Sequence, residues 1–133
     1  MAKEKKDSMI LVAEDEGINR LYITSLLKKH SYSHIDAENG RIAVDLYKDK
    51  DISLILMDVS MPELDGMDAA REIRRYEEEA GKKRVPIIAL TAHAYREDMD
   101  RCSEAGMDAV LSKPYAEQQI IELIRKMLMK DGQ

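Results

Sequence analysis

The sequence predicts an α/β domain: one doubly wound parallel sheet of five strands with five helices on its two sides. Three observations carry that expectation. Five short apolar runs recur along the chain, too continuously apolar to have a solvent face, as in strands buried on both sides. Longer stretches with apolar residues at helical spacing separate them. Strands that alternate with helices build right-handed parallel βαβ units. The 133 residues suit one such domain, which can bury about two thirds of the surface of the unfolded chain.

The elements follow in order. Residues Met1 to Asp7 are polar and expected to be mobile, leaving 8–131 for the domain. Met9 to Ala13 is the first strand, bounded by the acidic cluster Glu14, Asp15 and Glu16. Ile18, Tyr22 and Leu26 share a stripe with Ile23 and Leu27 and mark the first helix. Ser33 to Ala37 is a weaker second strand. After Asn39-Gly40, Ala43, Leu46 and Tyr47 mark the second helix. Ile52 to Met57 is the third strand. Gly66, Ala70 and Ile73 mark the third helix, which ends near Gly81. Pro86 to Leu90 is the fourth strand, and Tyr95 to Ala105 the fourth helix, stopped by Gly106. Ala109 to Leu111 is a short fifth strand, and Ile120, Leu123, Ile124, Met127 and Leu128 give the last helix its apolar face. No repeat, low-complexity segment or internal linker interrupts the pattern.

Composition narrows the function classes. The chain is 44% hydrophobic and 35% charged, a globular profile. Phe and Trp are absent, so Ile, Leu, Val, Met and Ala must fill the interior. Met57, Met61, Met67 and Met107 are expected as core or loop filler. A net charge of −5 disfavours direct binding to a nucleic-acid backbone, which needs clustered Lys and Arg. The basic start, Lys3 to Lys6, is too short to change that. The single cysteine, Cys102, excludes an intramolecular disulfide and reads as helix packing. The apolar runs are far shorter than a membrane span, and the start lacks the apolar core of a secretory signal. The expectation is a cytoplasmic domain without membrane contact.

In a doubly wound sheet, ligands bind beyond the carboxyl ends of the strands. The first strand delivers Glu14 and Asp15 there, the third Asp58, the fourth Thr91 and the fifth Lys113. Three carboxylates in one pocket repel one another, and a hard divalent cation such as Mg²⁺ removes the conflict. A carboxylate can also act as a nucleophile and form an aspartyl phosphate. Lys113 would neutralise the incoming phosphoryl charge, and the Thr91 hydroxyl would donate to one of its oxygens. Singly, each residue has a commoner reading: a helix cap for Asp15, a turn for Thr91, a solvated charge for Lys113. The combination at the ends of different strands is what counts. His30 and His34 lack metal-ligand spacing with Cys102 and are assigned no site.

Four blocks then carry a resemblance: Ile10 to Glu16 (ILVAEDE), Leu56 to Gly66 (LMDVSMPELDG), Ile88 to Ala92 (IALTA) and Gly106 to Pro114 (GMDAVLSKP). The chain resembles the receiver domain of bacterial two-component response regulators from about Met9 to Met129. The resemblance implies a flavodoxin-like three-layer sandwich with strand order 2-1-3-4-5. It implies that Asp58 is the phosphoacceptor, Asp15 a direct Mg²⁺ ligand, and Glu14 its partner through water. The Ser60 backbone carbonyl would supply a third protein ligand. Thr91 corresponds to the switch hydroxyl and Lys113 to the family's lysine, with a cis Lys113-Pro114 bond.

The implied function is a phosphorelay receiver that takes its phosphoryl group from a phosphohistidine on a sensor histidine kinase or histidine phosphotransfer domain. Such a domain catalyses its own phosphotransfer and dephosphorylation without multiple turnover. Ser60 and His93 would overlook the pocket mouth and set the phosphate's lifetime; for His93 an exposed loop histidine is an equal alternative. Tyr95, Val110 and Tyr115 belong to the implied output surface, with ordinary packing an equal alternative for the two tyrosines. A phosphorylation-dependent dimer stays open. Ile18-Asn19-Arg20 and Ala105 to Tyr115 look like receivers attached to hybrid histidine kinases.

Two positions depart from the family pattern. Val110 stands where an aromatic ring usually reports engagement of the threonine. Glu16 stands where hybrid-type receivers often carry Asn. Two rival functions fit the sequence less well. A metal-dependent aspartate phosphatase would carry a second acid two positions after the nucleophile, and that position is Ser60. A degenerate receiver that only binds partners would have lost some of Glu14, Asp15, Asp58, Thr91 and Lys113, and all five are present.

Overall fold

The computed structural model describes residues 9–92 and 95–131; of 130 and 131 only the backbone is described. The expectations for Met1 to Asp7 and for His93 fall outside the described residues. Five strands and five helices alternate: β1 (Met9–Ala13), α1 (Gly17–Lys29), β2 (Ser33–Ala37), α2 (Gly40–Asp49), β3 (Leu54–Asp58), α3 (Gly66–Ala80), β4 (Ile87–Thr91), α4 (Arg96–Glu104), β5 (Ala109–Ser112) and α5 (Glu117–Asp131). All strand pairs are parallel, in the order β2-β1-β3-β4-β5.

Alternation along the strands sorts the interior into two cores. Leu11, Ala13, Ile55, Met57, Ile87 and Ala89 face one side, where they meet Ala43, Val44 and Tyr47 of α2, Ala70 and Ile73 of α3, and Cys102 of α4. Ile10, Val12, Leu54, Leu56, Ile88 and Leu90 face the other, against Ile23 and Leu27 of α1 and Ile120 and Ile124 of α5. Both faces of the central strands are therefore dry. That explains why β1, β3 and β4 read as continuous apolar runs, and why edge strand β2, with Ser33 and Asp36 exposed, reads weakly. Side-chain caps set two helix starts: Asn39 accepts from the Ile42 amide at 2.8 Å and Asp65 from the Asp68 amide at 2.9 Å. Gly81 ends α3 in the left-handed region, at φ 68°.

Three expectations need correction. The α1 stripe is Ile23, Leu26 and Leu27; Ile18 is 80% exposed and Tyr22 44% exposed. The first turn of α1 starts beyond the carboxyl end of β1, where the sheet offers it nothing to pack on, and Ile18, Leu21 and Tyr22 form an outward stripe instead. The third strand begins at Leu54, because the Ser53 amide already bonds to the Met9 carbonyl from outside the ladder. The third and fourth strands also run one residue further than expected, so Asp58 and Thr91 are themselves the last residues of β3 and β4.

The amino end of the sheet is closed by a buried carboxylate. Glu77 of α3 accepts from the Tyr47 hydroxyl at 2.7 Å, the Val85 amide at 2.8 Å and Arg74 at 2.9 Å. Arg74 also donates to the Gly106 carbonyl and to Asp108, and Asp108 accepts from the Ile87 amide. This network ties α2, α3, the start of β4 and the turn before β5 together. Burial, then the Glu77 carboxylate, raise the Tyr47 phenol well above its ordinary range.

Candidate functional site

The carboxyl ends of β1, β3, β4 and β5 converge on one acidic cleft. β1 runs straight into Glu14 and Asp15; the Glu14 amide bonds to the Ala37 carbonyl of β2 at 3.0 Å, which seats Glu14 against the sheet. β3 ends at Asp58, whose neighbour Val59 donates its amide to the Leu90 carbonyl of β4. Thr91, buried, ends β4, and its carbonyl accepts from the Lys113 amide at 2.7 Å. The Lys113–Pro114 peptide is cis.

Oxygens of Glu14, Asp15 and Asp58 lie within 4.8 Å of one another. Glu14 and Asp58 are buried and Asp15 is exposed. Lys113 Nζ stands 3.2 Å from Glu14 Oε1 and 3.3 Å from Asp58 Oδ2, so one ammonium bridges both buried carboxylates. The amides of Glu16 and Ser60 each donate at 3.2 Å, to Glu14 Oε2 and Asp58 Oδ1. Burial, then the hydrogen bond to and charge of Asp58, push the Glu14 carboxyl up to about 7. Burial pulls the Lys113 ammonium down, but Asp58 and Glu14 together outweigh it and leave it above its ordinary value.

The site therefore has one lysine against three carboxylates. Burial is the first cause of the raised Glu14 carboxyl and the neighbouring Asp58 the second, so an ion among these acids would relieve the part due to Asp58. The donors are all oxygen, two carboxylates are fixed by amides, and the third is open to water. That set suits a small hard cation with several waters retained, as Mg²⁺ prefers.

Beside the cluster, which reaches it through Asp15, a cleft of about 480 Å³ is also lined by Val59, Ser60, Met61, Pro62, Asp65, Met67 and Arg101 of α4. Gly66 lets α3 approach: a Cβ there would strike the Asp58 carbonyl. On the other flank, Tyr22 donates its hydroxyl to the Tyr115 carbonyl at 3.3 Å, and the two rings lie 6.0 Å apart.

The structure thus brings Glu14, Asp15, Asp58 and Lys113 together, with Thr91 at the end of the adjoining strand and Ser60 lining the cleft. It spreads the expected output residues: Tyr95 is 72% exposed, Val110 is half-buried, and Tyr115 is buried beneath Tyr22. Sequence reasoning missed three neighbours of the site: Arg20, which bonds the Glu14 carbonyl, Tyr22, and Arg101. Only Arg20 had a signal, as part of a subtype motif.

Comparison with known proteins agrees with this geometry. The family model for the response regulator receiver domain matches residues 10–125. A curated relative, hybrid signal transduction histidine kinase M of Dictyostelium discoideum, is 36% identical over 126 residues, covering 93% of this chain. The match takes up 5% of that kinase, and 13% of the similar sensor protein GacS of Pseudomonas syringae. The chain thus spans a small fraction of these kinases, and about half of another curated relative, the transcriptional regulatory protein PdtaR of Mycobacterium tuberculosis. Among solved structures, the co-crystal structure of the Saccharomyces cerevisiae histidine phosphotransfer protein Ypd1 and the receiver domain of Ssk1 gives a TM-score of 0.92 at 30% identity. The match covers 98% of this chain and 95% of the other. The receiver domain of sensor histidine kinase PA1611 from Pseudomonas aeruginosa, with magnesium coordinated in its active-site cleft, gives 0.83 at 35% identity, covering 92% and 98%.

Proposed function

This chain belongs to the response regulator receiver family, and we propose that Asp58 is where it accepts the phosphoryl group. One observation carries the reading: Lys113 bridges Asp58 and Glu14 above the three-carboxylate cluster. A nucleophile, an acidic cation site and a charge-neutralising lysine occupy one small volume.

The chemistry follows from these positions. A phosphohistidine is presented at the cleft mouth, and an Asp58 carboxylate oxygen attacks its phosphorus in line. The P–O bond forms as the P–N bond breaks, and the imidazole leaves with the P–N electron pair. The transition state is loose, with charge on the equatorial oxygens, so positioning and neutralisation supply the rate. Glu14, Asp15, Asp58 and the Ser60 carbonyl would hold Mg²⁺, which when bound supplies compensation for phosphoryl and carboxylate charge. Lys113 moves its ammonium from Asp58 to a phosphoryl oxygen, and the Thr91 hydroxyl donates to another. Hydrolysis of the acyl phosphate resets the domain; Ser60, which lines the cleft, sets how readily water enters, and His93, outside the described residues, is a second candidate for that role.

The donor is a sensor histidine kinase or a histidine phosphotransfer domain. Ile18, Leu21 and Tyr22 give it an apolar footing on α1 beside the cleft. The acyl phosphate shifts a two-state equilibrium of the α4–β5–α5 surface, including Tyr95 and Val110. A dimer formed on phosphorylation would use the same surface. The kinases among the curated relatives support one module within a hybrid histidine kinase, and the single buried cysteine fits a cytoplasmic setting.

The test is incubation with acetyl phosphate and Mg²⁺, followed by intact mass. One phosphate adduct is expected, absent from Asp58→Ala and labile to base. No adduct, or one that survives the substitution, refutes the assignment.

A further inference from the structure

Arg20 lies outside the residues assigned so far, yet it touches the site's backbone. Its guanidinium Nη1 donates to the Glu14 carbonyl at 2.8 Å. That carbonyl belongs to the peptide joining Glu14 to Asp15, the two acids that β1 delivers to the metal cluster. Everything else around Glu14 is pinned: its amide by Ala37, its carboxylate by the Glu16 amide and Lys113. The peptide plane that sets the direction of exposed Asp15 is held by Arg20. The arginine itself is half-buried on α1, and its own amide bonds to the Glu16 carbonyl at 2.9 Å, so helix and acidic turn form one closed unit.

We propose that Arg20 is a positioning residue for the metal ligands, fixing the Glu14–Asp15 peptide so that both acids meet Asp58 at the spacing a small cation needs. This rests on the Mg²⁺ reading above. Two effects of Arg20 oppose each other. As a cation beside a cation site it repels Mg²⁺. As an anchor it spares the turn the entropy of being ordered when the ion arrives. The proposal holds that the anchor wins, and the two effects predict opposite signs.

The experiment titrates Mg²⁺ into the full chain by calorimetry, for wild type, Arg20→Met and Arg20→Lys, with circular dichroism confirming that each is folded at the titration temperature. Arg20→Met removes the charge and the donors but keeps the stem. Expected is Mg²⁺ binding weakened about tenfold in Arg20→Met, with partial recovery in Arg20→Lys. Affinity unchanged or tighter in Arg20→Met overturns the proposal. If Arg20→Met is unfolded, Arg20→Lys decides: affinity equal to or tighter than wild type overturns it, and weaker binding with an unchanged unfolding midpoint supports it. Failure of the underlying reading is separately visible, because wild type itself would then bind no Mg²⁺.

Discussion

Replacing Asp58 by Asn should stabilise this protein in the absence of metal. Glu14 is buried, and its folded pKa of about 7 stands above its ordinary 4.5. The folded state therefore keeps a proton that the unfolded chain releases. The stability this contributes is complete below pH 4.5 and is lost as pH rises through 7. At roughly 1.4 kcal/mol per pKa unit, on the order of 3 kcal/mol disappears across that window. Burial, the largest cause, survives the substitution, while the hydrogen bond to and charge of Asp58 do not. Two unit charges at the cluster's spacing repel by about 3 kcal/mol at an effective dielectric of about 20, and the nearby Lys113 ammonium offsets part of it. A net gain of about 1–2 kcal/mol for Asp58→Asn near pH 8 follows, or roughly 5 °C in Tm. Urea unfolding followed by circular dichroism, with a chelator present, measures it. At about pH 5, where Glu14 is protonated, the advantage should vanish or reverse, because Asn no longer pairs with the Lys113 ammonium. Adding Mg²⁺ should raise wild type selectively. A variant less stable than wild type near pH 8, or a wild type that gains stability between about pH 5 and pH 8, would refute the reasoning.

Other substitutions probe other parts of the argument. Lys113→Met should slow phosphorylation by acetyl phosphate about 10²–10³-fold while Mg²⁺ binding persists, as initial rates and calorimetry would show. Glu77→Ala should cost about 3–4 kcal/mol in urea unfolding, because the Tyr47 hydroxyl, the Val85 amide and Arg74 all lose their buried acceptor. Gly66→Ala should cost about 1–3 kcal/mol by overpacking and slow phosphorylation, since the added methyl collides with the Asp58 carbonyl. Leu21→Asp on the exposed α1 stripe should leave labelling by acetyl phosphate unchanged but impair transfer from a phosphohistidine protein; equal loss with both donors would argue against docking there.

The sequence showed most where burial is one-sided in its demands. β1, β3 and β4 are dry on both faces, so their runs were unmistakable, and the acids that end them marked the cleft. Edge strand β2 carries mixed residues and read faintly for the same reason. The α1 stripe is ambiguous in sequence because Ile18 and Tyr22 keep helical spacing with Leu26 but lie on the outward side; spacing alone does not say which side meets the sheet. The Glu77 network was invisible, since a Glu in a charged helix carries no mark of being buried. Arg20 was seen only as part of a motif, because its contact is to a backbone carbonyl, which no side-chain pattern reveals.

The Tyr22–Tyr115 contact has a consequence for how a donor leaves. Tyr22 sits on the exposed α1 stripe, and its hydroxyl holds the carbonyl two residues beyond Lys113. A protein docked on that stripe and a phosphoryl group held, as proposed, by Lys113 would therefore act on the same short loop. Thermodynamic reciprocity makes the coupling run both ways: the factor by which docking changes the loop's hold on phosphate is the factor by which phosphate changes the hold on the docked protein. A donor that prefers the loop as it stands before transfer would be expelled by the reaction it has just completed, leaving the α1 stripe free for the next encounter.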